Sequence, residues 1–382
     1  MKRVRVDPRP NWVHRLEEIE FFGWKHLDGS PYWIEDACYE LSATEVETLH
    51  EAATFCEALV NTEIGYAIQD SARLEQLGLN AQLISLAQMS WRRGDPSFYG
   101  RFDFAWDGLG PPKLLEYNAD TPTALFEAAV VQWHWLVERD READQYNSIH
   151  EQLIAAWRML SRGIPAGGRL HLASLHDEID DATTTAYLAD CALQAGIETC
   201  RIDVADIGLK NGHLVDLEDR PISHIFKLYP WEWLMAEDNA FAATFQECAI
   251  GVLEPAWRVG AASKGLLADL WRSAPDCPYL LPTFWEEAAL TGDRVGKPIL
   301  GREGANVKLR FADQNWDGGG PFADQPYIWQ ARAEMPAFEG QIPVFGVWIV
   351  AGEPCGLGIR EDQAAVTGQG ARFIPHRIVQ DP

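Results

Sequence analysis

The segment FYGRFDFAWDGLGPPKLLEYNADTPT, residues 98–123, constrains the fold more than any other part of the chain. Alternation puts Phe102, Phe104 and Trp106 on one face of a strand and Arg101, Asp103 and Ala105 on the other. The run Asp107–Pro112 breaks that pattern as a connecting loop, and KLLEYN supplies a second strand on which Leu114, Glu116 and Asn118 share a face. Pairing Trp106 with Lys113 then sets Asp103 opposite Glu116 and Arg101 opposite Asn118. Carboxylates directly opposed on an antiparallel pair repel, so this register calls for a cation, a third group or a shared proton. Asp, Glu and an Asn carbonyl are the oxygen donors of Mg²⁺. A glycosidase acid–base pair is the second reading, although its carboxyl groups stand farther apart than opposed strand residues. A hairpin whose polar face is simply solvated is the third.

The second strand runs straight into a helix through LFEAAVVQWHWLVERD. Thr121-Pro122-Thr123 offers a capping hydroxyl, a proline suited to a first helical turn and free backbone N–H groups, an arrangement able to hold an anion.

Elsewhere a short helix is expected over residues 11–20. Ser42 with Glu45 makes a capping box that opens a helix towards Val60, and another helix spans about Tyr146–Leu160. After GIPAGG, residues 163–168, the order RLHLASL, TTTAYLADCALQAG, ETCRIDV reads strand–helix–strand, a parallel right-handed crossover. No GxGxxG follows its first strand, so it is not read as a dinucleotide site. A last region holds the helix SKGLLADLW, the strand and glycine loop VGKPILGREGAN, and the strands YIWQARA, VFGVWIVA and GLGIRE. The expected divisions are 1–163 with the hairpin, 164–250 as a small α/β unit, and 251–382 with the glycine-rich loop.

Charge narrows the partners. With 57 acidic and 32 basic residues the formal charge is −25, which disfavours nucleic acid and anionic membranes and permits a cationic small substrate. The N-terminal MKRVRVDPRPNW lacks the apolar run of a signal peptide, and no window approaches the roughly 18 apolar residues of a membrane span. Seven scattered cysteines without a CxxC pair read as reduced thiols rather than a disulfide frame or zinc site, and a cytoplasmic location is the expectation. The 16 tryptophans suit either a sugar-stacking platform, and hence a non-catalytic glycan-binding module, or a core. Spacings such as VVQWHWL and LLADLW favour the core.

Phosphate-binding candidates lie late in the chain. Lys297 precedes a glycine turn, Gly301 to Gly304, able to fold over phosphates, and Lys264 is a second cationic candidate. Gln330 is placed for a nucleotide edge, and Arg360 in GLGIRED for a transferring phosphoryl group or for pairing with Glu361 or Asp362. The loop is not GxxxxGK[ST]. Glu232, in LYPWEWL, is a candidate for recognising substrate or nucleotide. The acidic run HDEIDD, residues 176–181, reads as a solvated strand-to-helix loop or a cation site.

In this order, FYGRFDFAWDG, KLLEYNADTPTALFEAAVVQW, EPAWRV with SKGLL, DCPYLLPTF, GKPILGREGANV and GLGIRED resemble the synthetase domain of the glutathionylspermidine synthase family across nearly the whole chain. The resemblance implies an α/β permuted ATP-grasp fold with a small inserted parallel α/β unit, and ATP-dependent ligation of a carboxylate to an amine with ATP and Mg²⁺. It makes Asp103, Glu116 and Asn118 the metal ligands, and Arg101 the arginine beside the reacting carboxyl. Lys264 and Lys297 become ATP-phosphate lysines, residues 301–304 with Arg302 the phosphate lid, and Arg360 a further catalytic arginine. Thr121 and Thr123 stand where the bifunctional members carry serines near the thiol-peptide substrate, a departure that keeps the hydroxyl and adds a methyl. Those members also carry an N-terminal amidase domain, for which this length leaves no room. A nucleotide-binding regulator with a degenerate ligase site is the remaining alternative.

Overall fold

The computed structural model describes all residues except 166, 238–249, 369 and 381–382. Its centre is a five-stranded antiparallel sheet in the order Arg372–Ile374, Glu353–Asp362, Ile342–Val350, Tyr99–Ala105, Lys113–Asn118. The hairpin and the last strands thus share one sheet, so the first and third sequence divisions meet in a common core. Against it packs the helix Ala43–Ala67, which opens with the expected Ser42–Glu45 capping box and continues past Val60. Aromatic rings fill the space between: Phe102 stacks on Tyr117 with centroids 3.8 Å apart.

The hairpin register is right where it matters and wrong at the turn. Asp103 faces Glu116 and Arg101 faces Asn118, but Lys113 pairs with Ala105 rather than Trp106. An extra residue at Leu115 absorbs the difference as a bulge between the Asp103 and Phe104 positions. The bulge also separates Leu114 from Glu116, against expectation: Leu114 joins the Phe102–Tyr117 core, whereas Leu115 turns to the opposite side with Ala105.

Around this sheet stand two others. A parallel sheet in the order Gly251–Leu253, His224–Lys227, Leu170–Ser174, Thr199–Asp203 carries the expected crossover helix, Ile179–Gln194. A second antiparallel sheet, Thr283–Phe284, Tyr327–Ala331, Arg294–Pro298, Lys308–Arg310, Asn315–Asp317, bears the glycine loop. A three-stranded sheet of Lys2–Arg5, Ala37–Ser42 and His376–Val379 ties the two ends of the described chain together. The first expected helix forms as Trp12–Glu18, and the one expected from Tyr146 begins at Ile149. Helices Ser71–Gln76 and Ala81–Arg93 were not anticipated.

Tryptophan goes mostly to the core. Trp33, Trp106, Trp135, Trp157, Trp231, Trp257, Trp329 and Trp348 are buried, while the exposed Trp133, Trp233 and Trp316 lie on three separate elements. The six cysteines among the described residues are free thiols, five of them buried; Cys248 lies outside the described residues.

Candidate active site

The three sheets enclose a cleft of about 600 Å³. All fourteen site residues nominated from sequence line it, from Arg101 on the hairpin to Arg360 on the last long strand. Its lining falls into a cationic and an acidic region.

At the first, Asp103 is almost wholly buried yet heavily paired. Arg101 donates to it through Nε at 2.6 Å and Nη2 at 3.0 Å, and Arg360 through Nη2 at 2.8 Å. Two guanidiniums pair with this buried carboxyl, which does not fit a solvated hairpin face. Room for Arg101 comes from Gly346, the residue paired with Asp103 across the sheet: a Cβ there would stand 2.8 Å from Arg101 Cδ. Trp348 lies beneath the guanidinium, 5.5 Å from it.

Glu116 is held by Lys264 Nζ at 3.0 Å. Burial pushes its carboxyl upward, but the charges of Lys264 and Lys297, the Lys264 hydrogen bond and Arg360 prevail, and the group is held well below the usual carboxylate range. Lys297 Nζ donates to Leu115 O and to Gln330 Oε1, both at 2.8 Å. Burial pulls its ammonium down to about 8, against Glu116 and with help from the neighbouring Lys264. Gln330 therefore orients Lys297 here, and its Nε2 donates to Leu114 O at 3.2 Å.

Between the carboxylates, Asn118 donates its amide nitrogen to Asp103 at 3.2 Å and to Glu116 at 3.4 Å. A half-turn of that amide presents an oxygen instead, completing an all-oxygen donor set of the kind Mg²⁺ prefers. The residues fit the ion.

The glycine loop closes over this end. Lys264 donates to Gly301 O at 2.7 Å, and Arg302 reaches across the cleft to Glu232 at 2.6 Å while lying over the Trp233 ring. Gly304 has φ +69° and a Cβ there would stand 2.7 Å from Val366 Cγ1, so both backbone and space demand glycine.

The Thr121–Thr123 turn differs from expectation. No helix starts on it: Tyr99 and Arg101 take its carbonyls, at 3.1 Å on Pro122 O and 2.6 Å on Thr123 O. Ala124 then adopts φ 65°, and helical structure begins at Leu125, passing through a π-turn, Glu127–Val131, before Gln132–Arg139. Thr121 and Thr123 consequently line the cleft from a loop pinned by its own carbonyls. Its other anchor is Asp120, buried and paired with Lys227 Nζ at 2.8 Å.

The second region was only half legible. Glu178, Asp180 and Asp181, from HDEIDD, line the cleft together with Glu303 of the glycine loop. Removal from bulk water and mutual repulsion raise Asp180, and raise Asp181 to about 7. Beyond them Glu127, buried and accepting the Tyr32 hydroxyl at 2.8 Å, is raised to about 7 by burial and by Asp180. Glu127 and the Asp120–Lys227 pair were missed, since one acid inside an apolar helix pattern gives no signal by itself.

The fold is of the ATP-grasp type, and the chain's family and relatives make it an ATP-dependent C–N ligase. The sequence profile of glutathionylspermidine synthase, preATP-grasp, matches residues 3–379, and the chain belongs to that family. It is 38 % identical over 403 residues to a candidate acid–amine ligase of Haemophilus influenzae, covering 99 % of this chain and 100 % of that protein. It is 28 % identical to the trypanothione synthetase of Crithidia fasciculata, over 81 % of this chain and 52 % of that enzyme. Identity is likewise 28 % to the bifunctional glutathionylspermidine synthetase/amidase of Escherichia coli, over 77 % and 51 %. The chain thus spans the whole of one relative and about half the length of the other two. A glutathione synthetase-like effector of Globodera pallida, GSS30, shares the fold at a TM-score of 0.56 and 10 % identity, over 90 % of this chain and 89 % of that one.

Proposed function

We propose that the chain couples a peptide-type carboxylate to a cationic amine, forming an amide through an acyl phosphate made from ATP. The observation that carries this reading is the cleft's charge pattern. Lysines, arginines and an oxygen-donor cage suit triphosphate and Mg²⁺ in one region, while clustered carboxylates suit an ammonium in the other.

In the first step a substrate carboxylate oxygen attacks the γ-phosphorus. The bond from that phosphorus to the bridging oxygen breaks, and ADP leaves. Lys264 and Lys297 hold the phosphates, and the Gly301–Gly304 loop with Arg302 covers them. Arg360 and Arg101, gathered on Asp103 at the same end of the cleft, are suited to stabilise the charge that develops on the reacting oxygens. Asp103, Glu116 and Asn118 would hold Mg²⁺, which when bound neutralises phosphate charge. Thr121 and Thr123 offer hydroxyls to the carboxylate substrate.

In the second step the amine nitrogen attacks the acyl carbon, the C–O bond to phosphate breaks, and inorganic phosphate departs. The amine must shed a proton. Asp181, raised to about 7, is suited to accept it, and Glu178, Asp180 and Glu303 attract the rest of a polycation. Glu232, by holding Arg302, keeps the loop down and water away from the acyl phosphate.

The test is a phosphate-release screen across pairs of peptide carboxylates and amines, with mass spectrometry of the products. Release that requires both partners, with a product lighter than their sum by one water, supports the reading; release indifferent to the amine defeats it.

A further inference from the structure

Away from the cleft, the small parallel sheet gathers a histidine, a thiol and a carboxylate that the ligase chemistry does not use. His171 and Cys200 are paired neighbours on adjacent parallel strands, so their side chains leave the same face. Asp216 comes from the turn after the strand His213–Val215. The potential ligand atoms of these three residues all lie within 4.8 Å of one another.

Their geometry is that of a metal edge as much as of a hydrogen bond. His171 Nε2 stands 3.2 Å from Asp216 Oδ2. Two ligands each about 2.0–2.1 Å from one tetrahedral zinc lie roughly 3.3 Å apart. Asp216 is also oriented beforehand: its Oδ1 accepts from the backbone N–H groups of Glu218 and Arg220, both at 2.9 Å, which turns Oδ2 to the cluster. His171 is fully buried, and its Nδ1 has no hydrogen-bond partner. Asp216 holds the ring through Nε2, the nitrogen that faces the cluster. Cys200 is half-buried and so within reach of solvent.

We infer that His171, Cys200 and Asp216 form a second metal site, for a zinc-class divalent ion. One thiolate and one carboxylate balance the ion's two charges. The nitrogen–sulfur–oxygen set selects against Mg²⁺, which the all-oxygen set of the cleft favours. The two sites sort two metals by donor softness. They also sit at opposite ends of the parallel sheet. His171 and Cys200 are each the second residue of their strands, whereas Leu175, Leu228 and Pro230, beyond the strands' far ends, line the cleft. Bound metal would tie the strands Leu170–Ser174 and Thr199–Asp203 to the turn at Asp216. Wide sequence spacing hides such a site from any motif.

The test uses the full-length protein stripped of metal and titrated with Co²⁺. One equivalent is expected to give a near-ultraviolet thiolate-to-cobalt band and strong tetrahedral visible bands, both displaced by Zn²⁺ and unaffected by excess Mg²⁺. Cys200→Ser should abolish the thiolate band, and Asp216→Asn, which keeps the Oδ1 turn, should weaken Co²⁺ at least tenfold. Zn²⁺ should raise the unfolding temperature of the wild type but not of Cys200→Ser, while Mg²⁺-dependent ATP turnover stays equal in the two. A wild type without the thiolate band, or a band that persists in Cys200→Ser, overturns the inference.

Discussion

Lys297 supplies the sharpest prediction, because its charge must change inside an accessible pH range. With an ammonium at about 8, the free protein carries the charge in roughly nine molecules of ten at pH 7 and one in ten at pH 9. If that charge binds phosphate, the KM for ATP should rise about tenfold between those values. An ammonium–phosphate contact near 4 Å is worth at most about 4 kcal/mol at an effective dielectric of 20, so the neutral form cannot substitute for the charged one. Lys297→Met is the control: it loses the Gln330 and Leu115 contacts, starts with a higher KM, and should show no such slope. Steady-state kinetics at saturating carboxylate and amine measure both. The same group has a stability signature. Its folded value lies below the unfolded value of about 10.4, so the folded protein binds fewer protons between pH 8 and 10, and stability should rise as pH climbs through that window. A wild-type KM that varies less than twofold from pH 7 to 9, or a slope shared by Lys297→Met, refutes the assignment.

Asp103→Asn and Glu116→Gln should each lower turnover at least a hundredfold and weaken Mg²⁺·ATP, with the far-ultraviolet dichroism unchanged; calorimetry and kinetics check this. Because Asp181 sits at about 7, the KM for a cationic amine should fall as pH rises from 6 to 8, and Asp181→Asn should raise it and flatten the profile. Gly304→Ala forces a Cβ into a left-handed backbone beside Val366, a strain of about 1–2 kcal/mol that should raise the KM for ATP several-fold without moving the KM for the amine. Ser42→Ala removes a complete capping box and should lower stability by about 1 kcal/mol in urea denaturation, leaving turnover intact.

The hairpin part of the cleft was legible in the sequence because Arg101, Asp103, Glu116 and Asn118 sit on paired strands. Period-2 patterning fixes which side chains share a face, and it placed Asp103 opposite Glu116 even though the loop pairing was off by one. The Leu115 bulge left no trace in composition, since both Leu114 and Leu115 are apolar and either phase satisfies the pattern. The Thr121 cap was misread for a different reason: the local signal was sound, but Arg101 and Tyr99 claim the turn's carbonyls from outside it. HDEIDD looked like a solvated loop because nothing local tells an acid at a cleft wall from one facing open water. The metal, phosphate and lid residues lie in three distant stretches, and only the family resemblance joined them before the sheets did.

The most direct test of amide formation through an acyl phosphate follows oxygen. With the carboxylate substrate labelled in both oxygens with ¹⁸O, each turnover should place one label in the released phosphate and leave the other in the amide carbonyl. Phosphate that emerges unlabelled, with product still formed, would contradict the account.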